Sequence, residues 1–131
     1  MNRVTHFEVQ ADDIERAKKF YQETFGWKIE NWMSAAKGDP MDYWGLVSGE
    51  PDKGPGINGG LYQRPPDNKL YTFDCTIQVD DIDKAIEAVK KNGGIITREK
   101  MELKNIGWFA SCKDTEGNRF ALMQSTNKKG V

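Results

Sequence analysis

Two stretches with the same layout decide the fold: HFEVQADDIERAKKFY at residues 6–21 and DCTIQVDDIDKAIEAV at residues 74–89. Each contains a short run of alternating apolar and polar residues, then two aspartates, then apolar residues at helical spacing. Internal repeats are sought before other patterns because they change the whole fold prediction. Two copies predict a duplicated domain in which a strand and a helix open each half.

Three further strands are predicted after each helix. The first aspartate of each pair, Asp12 or Asp80, is the predicted helix cap. The sequence therefore predicts an α+β fold of two tandem βαβββ modules, at about residues 3–64 and 70–125, within one domain spanning 1–131 with a polar tail at 126–131. One helix should cover the outer face of each sheet, and the opposite faces should form a cleft. The predicted strands are 4–11, 27–32, 42–48, 57–63, 71–79, 95–101, 107–113 and 119–124.

The two halves also match beyond their helices. Trp44 aligns with Trp108 in one stretch, and GINGGLYQ at 56–63 aligns with GNRFALMQ at 117–124 in another. The second alignment makes Gly60 equivalent to Ala121 and Tyr62 equivalent to Met123.

Composition restricts the class of protein. The chain has 131 residues, of which 37% are hydrophobic and 30% charged, with a net charge of −1. These values are typical of a globular, soluble domain and give no electrostatic reason to expect nucleic acid or a membrane surface as a partner. The N-terminus lacks the apolar core of a signal peptide. Cys75 and Cys112 have no metal-site or redox spacing. We interpret them as reduced thiols in a cytoplasmic protein, although the sequence leaves a bridge between them open.

The chain resembles the glyoxalase/bleomycin-resistance/dioxygenase superfamily, also called the vicinal oxygen chelate proteins. The stretches that carry the resemblance are HFEVQADDIERAKKFYQETFGW, VDDIDKAIEAVKKNGG and DTEGNRFALMQ. The resemblance implies a cleft in which a divalent metal binds two neighbouring oxygens of a substrate and acts as a Lewis acid. It also implies a homodimer.

The same resemblance implies where metal ligands would lie. The usual positions in the first strand of each half fall on His6 and Asp74, and those in the last strand fall on Gly60 and Ala121. Glycine and alanine have no donor atom, whereas catalytic metal sites typically use at least three protein ligands. The resemblance therefore implies the fold and argues against the usual metal site, so no cofactor is expected.

Polar residues on the first strand of each half are the candidates for catalysis. His6, Glu8 and Asp74 are candidate acid and base groups, and Thr76 should share their polar face. The alternatives are that His6 is a hydrogen-bonded histidine without a catalytic role and that the polar faces are simply solvated.

Aromatic and long side chains at matched positions are the candidates for ligand binding. Trp44, Trp108 and Tyr62 could stack on a planar ligand, with Met123 opposite in the repeat. Arg119 could hold an anionic group. The alternatives are core packing for the tryptophans and a surface position for the arginine.

Three functions remain open from the sequence. The leading hypothesis is a glyoxalase-like protein that binds a small organic molecule in the cleft without the usual metal. The first alternative is a metal-dependent lyase, isomerase or dioxygenase that uses His6 and Asp74 with a divalent metal. The second is a non-catalytic interaction domain.

Overall fold

The computed structural model describes residues 1–126, and part of the predicted polar tail, 127–131, lies outside the described residues. The chain forms two compact units. We call His6–Phe73 the N-terminal unit, and Met1–Thr5 together with the chain from Asp74 onward the C-terminal unit. The predicted α+β class and the order βαβββ in each half are confirmed. The elements are β1 (Arg3–Ala11), α1 (Ile14–Phe25), β2 (Lys28–Met33), a short 3-10 helix (Ala35–Lys37), β3 (Tyr43–Val47), β4 (Gly59–Gln63), β5 (Asp74–Gln78), α2 (Ile82–Lys91), β6 (Ile95–Leu103), β7 (Gly107–Lys113) and β8 (Arg119–Ser125).

The N-terminal unit has a sheet in the order β2-β3-β4-β1, with β1 and β4 parallel. Alternation along β1 sends Phe7, Val9 and Ala11 into the core. One face of α1 packs against this side of the sheet. The core also contains Leu46 and Leu61, with Ile14, Ala17, Tyr21, Trp27, Ile29 and Trp44 packed against it.

The C-terminal unit repeats this arrangement with a sheet in the order β5-β8-β7-β6. Strands β5 and β8 are parallel, as β1 and β4 are. Helix α2 buries Ile82 and Ile86 against its sheet. The core consists of those two residues with Val79, Ala110, Cys112 and Leu122. None of the helices in residues 1–126 is long and apolar enough to cross a membrane.

The first helix begins one residue later than predicted. Asp13, not Asp12, is the cap, and its carboxylate accepts a hydrogen bond from the backbone N–H of Arg16. Asp12 instead forms an ion pair with Arg64, with 2.6 Å between Oδ2 and Nη1. Gly26 ends the helix with φ of 69°, the left-handed conformation expected of a C-terminal glycine.

The same correction applies to the second helix. Asp81 is the cap, and it accepts a hydrogen bond from the backbone N–H of Lys84. Asp80 binds the terminal amine of Met1, with 2.7 Å between nitrogen and Oδ2. In both helices the second aspartate of the pair has the extended backbone that a cap requires.

Strand β4 is shorter than predicted because the residues before it bond to a neighbouring loop. The side chain of Asn58 accepts hydrogen bonds from the backbone N–H groups of Ser48 and Gly49. The carbonyl of Ile57 accepts one from the Ser48 hydroxyl. Both residues therefore lie outside the strand, which begins at Gly59.

Strand register also corrects the alignment of the tryptophans. In the N-terminal unit Trp44 pairs with Leu61, and in the C-terminal unit Ala110 pairs with Leu122. Leu61 and Leu122 are equivalent in the repeat, so Trp44 corresponds to Ala110 rather than to Trp108. The sequence alignment was two residues out of step, a shift that leaves the side chain on the same face.

Candidate active site

The polar face of β1 presents side chains opposite to the core. His6, Glu8 and Gln10 alternate with the core residues and therefore lie on this face. His6 and Gln10 are buried, and the Glu8 side chain retains 18% exposure. A buried polar group needs hydrogen-bond partners, so the neighbours of these three side chains define the site.

Tyr43 on β3 is the partner that links His6 to Glu8. Its hydroxyl lies 2.8 Å from His6 Nε2 and donates to Glu8, at 3.0 Å from Oε1 and 2.9 Å from Oε2. His6 Nε2 is itself 3.2 Å from Glu8 Oε1. Because the single phenol proton goes to the carboxylate, His6 Nε2 donates its own proton to the phenol oxygen. The three groups form one hydrogen-bonded cluster, the His6–Tyr43–Glu8 triad.

The surroundings keep the Tyr43 phenol protonated. Burial raises the pKa of Tyr43 far above its ordinary value, and the negative charge of Glu8 and the hydrogen bond to it raise the pKa further. The hydroxyl is therefore a donor throughout the neutral range. Tyr43 was not among the candidates predicted from the sequence.

Gly60 makes room for this tyrosine. A Cβ atom at position 60 would overlap the hydroxyl oxygen and Cζ of Tyr43. Glycine within a strand often marks such a close approach. Gly60 is the residue that the repeat identifies as a usual ligand position without a donor atom. A glycine there is therefore the sequence signal that a large side chain lies over β4.

A second hydrogen-bonded group extends the face along β1. Gln10 Nε2 donates to the Tyr62 hydroxyl at 2.9 Å and to the carbonyl of Asn68 at 3.1 Å. Gln10 Oε1 accepts from the backbone N–H of Leu70 at 2.8 Å. The Tyr62 and Tyr43 rings stack with centroids 6.4 Å apart. The structure thus brings together three residues predicted for the site, His6, Glu8 and Tyr62.

Trp44 lies on the other side of the N-terminal sheet. It packs against the core on the side covered by α1. Lys18 of that helix lies over its ring, with Nζ 5.8 Å from the centroid. The expectation that Trp44 lines the polar face is corrected because alternation along β3 puts it on the same side as buried Leu46.

Trp108 has the equivalent placement in the C-terminal unit. It packs against the core that α2 covers. Lys100 lies over its ring, with Nζ 4.7 Å from the centroid, and also pairs with Asp83 of α2. Trp108 is therefore also corrected to a core-packing residue.

The remaining predicted residues belong to the C-terminal unit. Asp74, Thr76 and Met123 are buried, and Asp74 Oδ2 lies 3.0 Å from Arg119 Nε. Alternation along β5 and β8, whose register pairs Thr76 with Ala121, places these side chains on the face opposite α2. Arg119 is thus engaged by a carboxylate of its own unit.

A divalent metal is the group that the superfamily implies, and the donors present do not fit its usual site. In the N-terminal unit His6 offers one donor, whereas Gly60 offers none and Tyr43 fills the space beside it. In the C-terminal unit Ala121 has no donor and Asp74 is paired with Arg119. Within residues 1–126 no three side chains of His, Cys, Asp or Glu are grouped closely enough to hold a metal ion.

Comparison with known proteins supports a single family. A family model described as bleomycin resistance protein-like N-terminal matches residues 3–37. A glyoxylase-like domain-containing protein from Didymella fabae is 34% identical, with 96% of each chain covered. A putative lactoylglutathione lyase from Brassica oleracea var. gemmifera is 27% identical over 93% of this chain, which spans 44% of that protein.

A solved structure shows the same fold. Methylmalonyl-CoA epimerase from Mycobacterium tuberculosis superposes with a TM-score of 0.67 at 13% identity, covering 96% of this chain and 89% of the other. At that identity the similarity concerns the fold alone. The fold and the relative from Didymella fabae together show that the chain belongs to the glyoxylase-like proteins of the vicinal oxygen chelate superfamily.

Proposed function

We propose that this protein binds a small organic molecule on the polar face of its N-terminal unit, around the His6–Tyr43–Glu8 triad, without the usual metal of its superfamily. The observation that carries the proposal is the Tyr43 hydroxyl held between His6 Nε2 and the Glu8 carboxylate. Ligand sites combine apolar and aromatic walls with a few fixed polar groups, and this face has both.

The triad offers a ligand the acceptor positions of Glu8 that its own hydrogen bonds leave open. The Glu8 carboxylate has roughly four acceptor positions, and Tyr43 and His6 do not use all of them. Tyr43 stays neutral because its pKa is raised, and its one proton is already donated to Glu8. The site therefore favours a ligand that presents an N–H or O–H group to Glu8.

A thermal-shift screen of a library of soluble metabolites tests this proposal. A compound that binds only the folded state should raise the melting temperature, with about 2.7 kcal/mol of stabilisation at a concentration of 100 times Kd. The shift should disappear in Glu8→Gln and remain in Glu15→Gln, whose side chain is 81% exposed on α1. Compounds that shift all three proteins equally would count against this site.

A second function, proton transfer by a lyase or isomerase, is favoured by the hydrogen bonds within the triad. Glu8 is placed to accept a proton from a bound substrate, and imidazole is a common general acid or base in enzymes. Tyr43 connects the two groups and fixes their orientation. A putative lactoylglutathione lyase is among the sequence relatives, and a methylmalonyl-CoA epimerase shares the fold.

Deuterium exchange separates this function from simple binding. Lactoylglutathione and methylmalonyl-CoA would each be incubated with the protein in D₂O and then analysed by mass spectrometry. A proton-transfer enzyme should incorporate deuterium at carbon, and Glu8→Gln should not. If the compounds that bind show no exchange, only the binding function is supported and proton transfer is excluded for them.

A homodimer in the cytoplasm is part of the proposal. Phe20 and Phe25 on α1 are 56% and 59% exposed, and exposed aromatic groups of this kind favour a protein interface. A sedimentation experiment that shows only monomer would count against the dimer. Capture of another protein by this surface, with no small molecule bound, would favour the interaction-domain alternative.

A further inference from the structure

Two glycines that face each other across β3 and β4 carry aromatic rings over their backbones. Gly45 pairs with Gly60 in the antiparallel register. A Cβ at Gly45 would overlap the six-membered ring of the Trp32 indole, and a Cβ at Gly60 would overlap Tyr43. The absence of two neighbouring side chains therefore lets both rings approach the sheet on its polar face.

The strand irregularity at Trp32 explains how the indole reaches this position. The register of β2 and β3 shifts between Asn31 and Met33, so Trp32 is an extra residue in its strand. Such a bulge redirects a side chain. The indole Nε1–H then donates to Glu30 at 3.2 Å, which fixes the orientation of the ring.

Three rings form a continuous row on this face. The centroids of Trp32 and Tyr43 are 6.1 Å apart with 31° between their planes. Those of Tyr43 and Tyr62 are 6.4 Å apart with 22° between their planes. Trp32 is 44% exposed, so one end of the row is open to solvent. We call Trp32, Tyr43 and Tyr62 the aromatic floor.

We infer that the aromatic floor binds a planar bicyclic aromatic molecule by ring stacking, with one N–H or O–H group of that molecule directed at Glu8. The inference rests on the proposed function and names the class of its ligand. Neighbouring centroids are 6.1 and 6.4 Å apart, so a ligand of two fused rings centred between two of them would overlap the adjacent edges of both.

The charges beside the floor specify the polar group of the ligand. Glu8 and Glu30 both present carboxylates on this face. A ligand carboxylate would meet like charge, whereas an O–H or N–H donor completes a charge-assisted hydrogen bond. Lys28 lies on the same face of β2, opposite Val47 at the outer edge of the sheet.

Calorimetric titration with three matched probes tests the inference. 2-Naphthol is planar and has a donor, 2-methoxynaphthalene is planar without a donor, and decahydro-2-naphthol has the donor but no aromatic rings. 2-Naphthol should bind most tightly, and loss of either property should weaken binding roughly tenfold. Equal affinity for 2-naphthol and decahydro-2-naphthol would overturn the inference.

Variants separate the floor from the triad. Trp32→Ala should weaken 2-naphthol binding roughly tenfold. Trp44→Phe, a conservative change on the opposite side of the sheet, should leave that binding unchanged. If Trp32→Ala has no effect while Glu8→Gln abolishes binding of decahydro-2-naphthol, the floor is overturned and the proposed function stands. If none of the probes binds and no metabolite gives a thermal shift that depends on Glu8, both the inference and the proposed function fail.

Discussion

Tyr43 lies directly over Gly60, and its hydroxyl fills the space that a side chain at position 60 would need. The resemblance to the superfamily made residue 60 one of the usual ligand positions. Residue 60 has no donor atom for a metal, and the neutral phenol of Tyr43, hydrogen-bonded to His6 and Glu8, lies in its place.

Gly60→Ala should destabilise the protein by about 1–3 kcal/mol, the usual cost of overpacking. Because the overlapping atoms belong to Tyr43, the same substitution in a Tyr43→Ala background should cost much less. Urea unfolding of the four proteins in this double-mutant cycle measures the coupling. Gly45→Ala is the matched control, since Trp32→Ala should reduce the destabilisation that it causes and Tyr43→Ala should not. Additive effects of Gly60→Ala and Tyr43→Ala would contradict the contact.

Asp13→Ala should cost about 1 kcal/mol of unfolding free energy because it removes the cap of α1. Asp12→Ala should cost less, since the carboxylate of Asp12 is 66% exposed in its pair with Arg64 and exposed pairs contribute little. Chemical denaturation of both variants provides the comparison. A larger loss for Asp12→Ala would restore the cap position predicted from the sequence.

The raised pKa of Tyr43 predicts a loss of stability in alkaline solution. Above about pH 10 the unfolded chain releases the phenol proton while the folded protein keeps it. The unfolding free energy should then fall by up to about 1.4 kcal/mol per pH unit from this group, and the contribution is complete below pH 10. Tyr43→Phe should show a shallower decline from about pH 10 to 11.

The exposed Tyr71 supplies the control for that experiment. Tyr71 is 72% exposed, so Tyr71→Phe should keep the wild-type slope. Identical slopes for wild type and Tyr43→Phe would show that the Tyr43 phenol ionises in the folded protein.

The two cysteines should differ in reactivity. Cys75 is exposed, whereas Cys112 is buried and burial raises its pKa to about 11. Because the thiolate is the reactive form, a thiol reagent at neutral pH should modify Cys75 quickly and Cys112 only after unfolding. Both residues pair in register with Phe120, so strand β8 lies between them and a bridge cannot form. Absorbance with a chromogenic disulfide reagent, with Cys75→Ser as the control, measures both rates.

Much of the fold could be predicted because it depends on local patterns. Alternation through Phe7 and Val9 fixed the two faces of β1, and Gly26 marked the end of α1. The sequence predicts the cap of α1 one residue early because adjacent aspartates, Asp12 and Asp13, have the same propensity. Only the backbone conformation distinguishes them.

The site was harder to predict because it depends on contacts between strands. His6 and Glu8 follow from alternation along one strand. Predicting that Tyr43 rather than Trp44 lies in the site requires knowing which face of β3 the helix covers. That face depends on the register with β4. The position of Trp32 depends on a bulge that no local sequence pattern marks.

Calorimetric titration of the chelator-stripped protein with Ni²⁺, Zn²⁺, Mn²⁺ and Fe²⁺ tests the central claim most directly, with His6→Ala titrated in parallel. The claim is that the Tyr43 phenol stands beside Gly60 where the superfamily places a metal ligand. We predict no stoichiometric binding to the wild-type protein and the same heats for His6→Ala. Stoichiometric binding by the wild type that is lost in His6→Ala would contradict the claim and indicate a metalloenzyme.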